Sequence, residues 1–511
     1  MPVAEQVRSR AAERPDRLAL RSPSRTCTYA SLAADVDAAA VGLLERGARP
    51  GGLVAVDVAE PVDMLTVLLA ADTIGAVPLV CDSAWSQEQR SAVLDAVAPE
   101  IHVRERPRPE AEQERRPPPE RYVPHPEDLA WAGFSSGSTG RPRAIVRTRE
   151  SWIGSYPAAE KLSGLSWSDT VLVPGPLVSS LFCFAALHGL AAGAEVIVTG
   201  RWSPRAVREV LSEVDVVHAV PHMLDQMLTW IEDQGPEASQ RRNRPRTALV
   251  SGAALPPGLR ERAAAAGVGV VAYYGAVELS FVAVDPDGAG LRPFDEVEID
   301  VRPTGDEATL GEVWVRSPWV AEGYLGGATG PFRWDDDGWA TVGDLAELPP
   351  PMIMNTNRSY STVSVHDHGS IQLRGRGDGA ILTGGATVVP EDVEAVLAAV
   401  PGVAGVVVVG MPHEQLGAVV TAVVEVADIE RGAAGDDAEN DGADGGDTSM
   451  DGTPVTRALL ESVARRELSL AQRPRRWFEI DRMPRTAVGK PARAAISEGL
   501  ASGTLNARPV R

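Results

Sequence analysis

Short apolar runs rich in β-branched residues alternate with alanine-rich helical patterns through the first half of the chain, and this alternation restricts the fold most. Leu53–Val58, Val77–Val80, Val171–Val173, Glu195–Val198 and Val214–Val217 read as buried strands, and Asp63–Ala71 as a helix between two of them. Continuous apolar strands are covered on both faces, which requires helices on either side of a sheet. The rhythm, recurring to about Tyr274, therefore predicts an α/β fold. A chain of 511 residues exceeds one ordinary core, so a large N-terminal unit and a smaller second one are expected.

Other stretches limit the function classes. The formal net charge of -21 opposes sequence-independent binding to nucleic acid or anionic lipid. Met1–Pro15 lacks the apolar core of a signal peptide, so a cytoplasmic protein is expected. Leu177–Ala194 has the length of a membrane span, but Pro174, Pro176, Ser179, Ser180 and Gly189 interrupt or border it. It reads as a buried helix, and no membrane span is expected. Cys27, Cys81 and Cys183 lie far apart and match neither a disulfide framework nor a zinc pattern. Arg104–Pro126 reads as an exposed connection and Pro349–Ser370 as a long inserted loop. Asp428–Gly452 is acidic and nearly free of apolar residues, which predicts disorder over 428–453. Its Asp437, Glu439, Asp441, Gly442 spacing imitates a calcium loop, yet Thr448 stands where a bidentate glutamate is required. His366-Asp367-His368 lacks further ligands and reads as polar loop.

The run Ser135-Ser136-Gly137-Ser138-Thr139-Gly140-Arg141-Pro142-Arg143 follows the strand-like Leu129–Gly133. Consecutive hydroxyls and glycines curl donors around phosphate oxygens, and a terminal cation neutralises their charge. The Walker spacing is absent. Gly133-Phe134-Ser135-Ser136-Gly137 also satisfies G-x-S-x-G, so a serine hydrolase is an alternative. That reading needs a helix directly after the serine and leaves Ser138–Arg143 without a role.

The same run resembles the phosphate-loop signature of the adenylate-forming superfamily, and further blocks follow in that family's order. They are Ser251-Gly252-Ala253-Ala254-Leu255, Tyr273-Tyr274-Gly275-Ala276-Val277-Glu278, Thr341-Val342-Gly343-Asp344, Leu373-Arg374-Gly375-Arg376-Gly377-Asp378, Thr383-Gly384-Gly385, Pro390-Glu391-Asp392-Val393-Glu394 and Pro484-Arg485-Thr486-Ala487-Val488-Gly489-Lys490. The chain is thus similar to an AMP-forming acyl-CoA synthetase. The resemblance implies a large domain of layered sheets flanked by helices over 1–375, a hinge at 376–378 centred on Asp378, and a smaller mobile α+β domain over 379–511. It implies ATP, AMP, Mg2+, coenzyme A and a small carboxylic acid as ligands. Ser135–Arg143 would hold the β- and γ-phosphates, with Ser136, Gly137, Ser138, Thr139 and Gly140 as the loop, and Glu278 would hold magnesium. Gly252, Ala253, Tyr273, Tyr274, Gly275, Ala276 and Val277 would surround the nucleotide, with Tyr274 on adenine and Asp344 and Arg376 on ribose. Lys490 would bridge the acyl carboxylate and α-phosphate, with Arg143 and Glu278 as further catalytic residues. Gly384 and Gly385 would border the pantetheine channel, and Ser179, Val220 and Met223 the acyl pocket.

The chain departs from the family pattern at several points. Arg143 replaces the loop lysine, Val277 replaces a hydroxyl expected at the α-phosphate, and Arg149 and Ser179 occupy positions expected to shape the acyl entrance. These changes raise the alternative of a thioesterification-only enzyme supplied with acyl-adenylate by a separate adenylating partner. Lys490 argues for both steps. A non-catalytic binding protein is a third reading, opposed by Glu278, Asp344, Arg376 and Lys490. A peptide-synthetase domain would place an acid in the acyl block, whereas Gly175–Leu181 has none. About twenty residues follow Lys490, too few for a carrier domain.

Overall fold

Helix Pro61–Thr73 shows how the first domain is layered. Glu60 caps it, its Oε2 accepting from the Asp63 amide at 2.7 Å, and Pro61 opens the first turn, where no intrahelical amide is required. Nearly every side chain from Val62 to Thr73 is buried, the mark of a helix covered all round. Helix Ser180–Ala192 is similarly enclosed, as the buried helix expected within 177–194, and it ends on Gly193 in the left-handed region. No described helix is long and apolar enough to cross a membrane.

The computed structural model describes residues 3–510 apart from 84, 86, 110–121, 136–142, 234–243, 257, 305–309, 349–362, 365–368, 377–380, 384–385, 414–416, 427–454, 469 and 487–488. Among the described residues the strands form sheets of nine, seven, six and six. The nine-stranded sheet runs Arg292–Pro293, Ser280–Asp285, Gly269–Ala276, Thr247–Val250, Val216–Ala219, Thr170–Val173, Glu195–Val198, Leu18–Arg21 and Thr26–Thr28. Its interior pairs are parallel and its ends antiparallel. A six-stranded sheet contains Gly323–Tyr324, Arg143–Thr148, Leu129–Ser135, Val77–Val80, Leu53–Val56 and Ile101–Val103. Helix Pro61–Thr73 packs on this sheet and Ser180–Ala192 on the first, with helix Val3–Glu13 touching both helices. The expected α/β layering is therefore present.

Several details differ from the sequence reading: the strand expected at Leu53–Val58 ends at Val56, and the helix expected at Asp63–Ala71 spans Pro61–Thr73. The strand expected at Val214–Val217 spans Val216–Ala219, because the Val214 amide closes a 3-10 turn onto the Leu211 carbonyl. Leu129–Ser135 is followed by the antiparallel strand Arg143–Thr148 with Ser135 opposite Arg143, so the hydroxyl-rich run joins two strands. A nucleophile elbow needs a helix there, and the serine-hydrolase alternative falls.

Most buried apolar residues from Val3 to Ile371 share one core, beside a small separate cluster of Val77, Leu79, Ala132, Ala144 and Val146, while those from Ile381 to Val510 form two smaller cores. The latter lie on opposite faces of one sheet. Along strand Val403–His413, Val406 and Val408 enter one core and Val407, Val409 and Met411 the other, as alternation of side chains requires. Helices Pro390–Ala398 and Arg457–Glu467 cover the first face and Arg493–Ser502 the second. Cys27, Cys81 and Cys183 are buried and unbridged, and burial raises the Cys183 thiol to about 12.

Candidate active site

Strand Gly269–Ala276 carries the tyrosine block to the edge of the body. Alternation sends adjacent tyrosines to opposite faces: the Tyr274 hydroxyl donates to Asp344 Oδ2 at 2.6 Å, while the Tyr273 ring packs on Phe281, 4.7 Å between centroids. Burial raises the Tyr273 pKa, with the Ser251 side chain opposing the rise. Tyr274 therefore faces the ribose-block aspartate, and Tyr273 joins an aromatic wall continuing through Phe281 to Phe184 at 4.9 Å. Gly275 must be glycine, because a Cβ there would lie 2.2 Å from the Ser280 carbonyl oxygen. The strand bends at that point, with a register shift between Tyr274 and Gly275 and a positive φ of 62° at Ser280. Ala276 and Val277 lead from this bend to Glu278, which is 2% exposed.

The Glu278 carboxylate accepts from the Tyr324 hydroxyl at 3.4 Å, and the Glu278 carbonyl accepts from the Ala321 amide at 2.8 Å. Burial and then the charge of Glu278 push Tyr324 up to about 12, while the positive charge of Arg143 opposes the rise. Gly323–Tyr324 pairs with the strand that begins at Arg143. Glu278, Tyr324 and Arg143 thus share one end of the second sheet. Sequence reasoning missed Tyr324, whose Gly-Tyr surroundings carry no distinctive pattern.

Asp344 is 8% exposed and lies opposite Arg376 in an antiparallel ladder, which brings the ribose blocks together through the backbone. Ser136–Pro142, Asp378, Gly384 and Gly385 lie outside the described residues, as do most of the 349–370 insertion, the acidic stretch 428–453 and His366–His368.

The Lys490 turn reaches the body of the enzyme. Gly252 has φ 88°, and a Cβ on it would lie 3.2 Å from Val220 Cγ1, 3.3 Å from Lys490 Cε and 3.5 Å from Lys490 Nζ. The bare glycine lets the lysine stem pass over the Ser251–Leu255 loop, where Ala253 is exposed. Val220 precedes helix Pro221–Glu232, and Met223 in its first turn is fully buried. Ser179 is the N-cap of helix Ser180–Ala192, yet its hydroxyl makes no cap bond. Arg149 does not open onto the acyl side as expected: its guanidinium pairs with buried Asp72, whose other oxygen accepts from the Ala4 amide at 3.1 Å. A cation at that position is thereby committed to the interior of the body.

A model of the AMP-binding enzyme family matches residues 7–325, and one of the AMP-binding enzyme C-terminal domain matches 392–490. The uncharacterized acyl-CoA ligase YhfT of Bacillus subtilis is 31% identical over 391 residues, covering 73% of this chain and 69% of that protein. o-Succinylbenzoate CoA synthetase (MenE) from Bacillus subtilis, solved with the acyl-adenylate OSB-AMP, superposes with a TM-score of 0.76 at 21% identity, covering 99% of each chain. The same synthetase with ATP and magnesium gives 0.74 at 21% identity, covering 96% of this chain and 98% of that one. The paired tyrosine and aspartate, the buried glutamate and the lysine over Gly252 thus sit in a chain that belongs to the AMP-binding enzyme family, within the adenylate-forming superfamily its sequence resembles.

Proposed function

We propose that this AMP-forming acid–CoA ligase carries out both half-reactions, joining an apolar carboxylic acid to coenzyme A through an acyl-adenylate. The observation that carries this reading is the position of Lys490, whose ammonium lies beside Gly252 and Val220. Bringing an anionic carboxylate onto the α-phosphorus of ATP creates charge repulsion that a held cation relieves, and pyrophosphate leaves as the acyl–phosphate bond forms. The thiol of coenzyme A then attacks the acyl carbonyl and AMP departs.

Each group has a role in this scheme. Tyr274 lies against adenine, Asp344 accepts from the ribose hydroxyls with Arg376 beside it, and the Ser135–Arg143 run surrounds the phosphates. Glu278 suits a magnesium ion, since such ions take one or two carboxylates and fill their shell from phosphate and water. When bound, the ion neutralises charge on the phosphates. Ser179 and Val220 border the acid, Tyr273 and Phe281 form an apolar wall, and Met223 backs it. Glycines 384 and 385 border the thiol channel after rotation about Asp378, which divides a body of residues 1–375 from a small domain of 379–511.

A second reading, in which a partner enzyme supplies the adenylate, is favoured by Val277, which brings no hydroxyl to the α-phosphate. Lys490 separates the two. Pyrophosphate exchange with ATP, magnesium and an acid panel is expected from the wild type and lost in Lys490→Ala, while the variant still converts a synthetic acyl-adenylate to thioester. A wild type that makes thioester from adenylate but shows no exchange with any acid would establish the one-step reading.

A further inference from the structure

His222 stands at the contact between the Lys490 turn and the body. The turn is closely tied: the Thr486 amide donates to the Lys490 carbonyl at 2.7 Å, the Gly489 amide to the Thr486 carbonyl at 2.8 Å, and the Ala492 amide to the Pro484 carbonyl at 2.8 Å. Arg485 Nη1 donates to the Gly489 carbonyl at 3.3 Å. Gly489 has φ 80°, and a Cβ on it would fall 2.3 Å from His222 Cε1 and 2.7 Å from Nε2. The glycine α-carbon therefore rests directly on the imidazole, and no larger residue fits while the ring stays in place.

The ring has its own support. Trp202 lies edge-on to it, 6.0 Å between centroids, and stacks on Trp230 at 6.1 Å and 9°. The Trp202 indole donates to Gln226 Oε1 at 3.2 Å. His222, Gln226 and Trp230 are spaced four apart along helix Pro221–Glu232, so one helical stripe holds Trp202 and the imidazole together. Burial and the charge of Arg485 lower the His222 pKa, against a smaller opposing effect of Asp225, leaving a neutral ring against the glycine at pH 7.

We propose that His222 is a positioning residue that seats the Lys490 turn for adenylation. Gly489 precedes Lys490 directly, so fixing its α-carbon fixes the root of the lysine stem, and the ammonium then falls over Gly252. This inference rests on the reading of Lys490 as the adenylation cation. The two ideas are separable, because seating is a property of the protein without substrate.

The test uses the full chain carrying Gly489→Ala, His222→Ala or both. Seating is read as the rate of tryptic cleavage after Arg485, followed by mass spectrometry. Catalysis is read as pyrophosphate exchange with whichever of octanoate, benzoate and 2-succinylbenzoate the wild type exchanges fastest, beside thioester formation from the matching synthetic adenylate. Gly489→Ala is expected to speed cleavage and to lower the maximal exchange rate about tenfold or more, with the KM for ATP little changed. His222→Ala speeds cleavage and lowers exchange by a larger factor than thioester formation. In the double variant the added methyl enters the space left by the imidazole, so slow cleavage and exchange are partly restored relative to Gly489→Ala. Absence of that restoration, or a His222→Ala protein matching the wild type in both cleavage and exchange, overturns the proposal. If the wild type shows no exchange, the two-step reading fails, and the cleavage rates of the three variants alone decide whether His222 seats the turn.

Discussion

Tyr274 and Asp344, 70 residues apart, are joined by a hydrogen bond of 2.6 Å between the tyrosine hydroxyl and the carboxylate. The bond links the sheet that carries the tyrosine block to the sheet that carries the aspartate. It holds the carboxylate at a fixed place before a nucleotide arrives.

Replacing Asp344 by alanine removes the acceptor proposed for the ribose hydroxyls. Hydrogen bonds to a charged group contribute about 1.5–3 kcal/mol, so the KM for ATP should rise about ten- to hundredfold. Tyr274→Phe keeps the ring and loses only the hydroxyl, and a smaller rise of about three- to tenfold is expected. The ATP dependence of pyrophosphate exchange measures both, and equal KM values in all three proteins would refute the assignment.

At Gly275 the prediction concerns stability and site geometry together. An alanine methyl would meet a backbone oxygen, not a flexible side chain, so the strand at the bend must shift. Overpacking of this kind costs about 1–3 kcal/mol, and Gly275→Ala should lower the melting temperature by several degrees. Exchange should fall as well, because Tyr274 is the adjoining residue. Unchanged melting and activity would show that the bend yields freely.

Arg149 and Asp72 form a buried ion pair with side chains only 4% and 11% exposed. Removing one partner leaves an uncompensated buried charge, so Arg149→Leu or Asp72→Leu should each destabilise by about 3–5 kcal/mol. The double Leu variant should be more stable than either single one. Denaturant unfolding monitored by tryptophan fluorescence reads all three, and strictly additive losses would contradict the pairing.

Acid sensitivity follows from His188 and His218, which are 0% and 1% exposed. Burial lowers His188 to about 4, and burial followed by the charge of His188 lowers His218 to about 3. Glu160 lies 3.9 Å from His188, and the Tyr156 ring packs against it. The folded protein keeps both imidazoles neutral where the unfolded chain, with pKa values near 6.5, already binds protons. Stability therefore falls as pH drops below about 6.5 and continues to fall towards the folded values. The melting temperature measured between pH 7 and 4 should decrease, and His188→Leu should flatten the slope. An identical slope in that variant would assign the acid sensitivity elsewhere.

Local pattern alone established much of the molecule. The valine-rich strands at 77–80 and 195–198 and the enclosed helix after Ser179 follow from residue periodicity over a few positions, where neighbours in sequence share one environment. The ordered blocks from Ser135 to Lys490 likewise identified the family, because each block is a short run whose composition carries its chemistry. Tertiary structure decided what those patterns leave open. Tyr273 and Tyr274 are neighbours of the same type, and only the register of their strand sends one to the aromatic wall and the other to Asp344. Arg149 reads as a cation near the acyl entrance until packing brings Asp72 against it, and His222 is an ordinary helix residue until Gly489 lies on its ring. Such contacts join segments far apart in the chain, and their partners are set by how sheets and helices dock, which nearby residues do not encode.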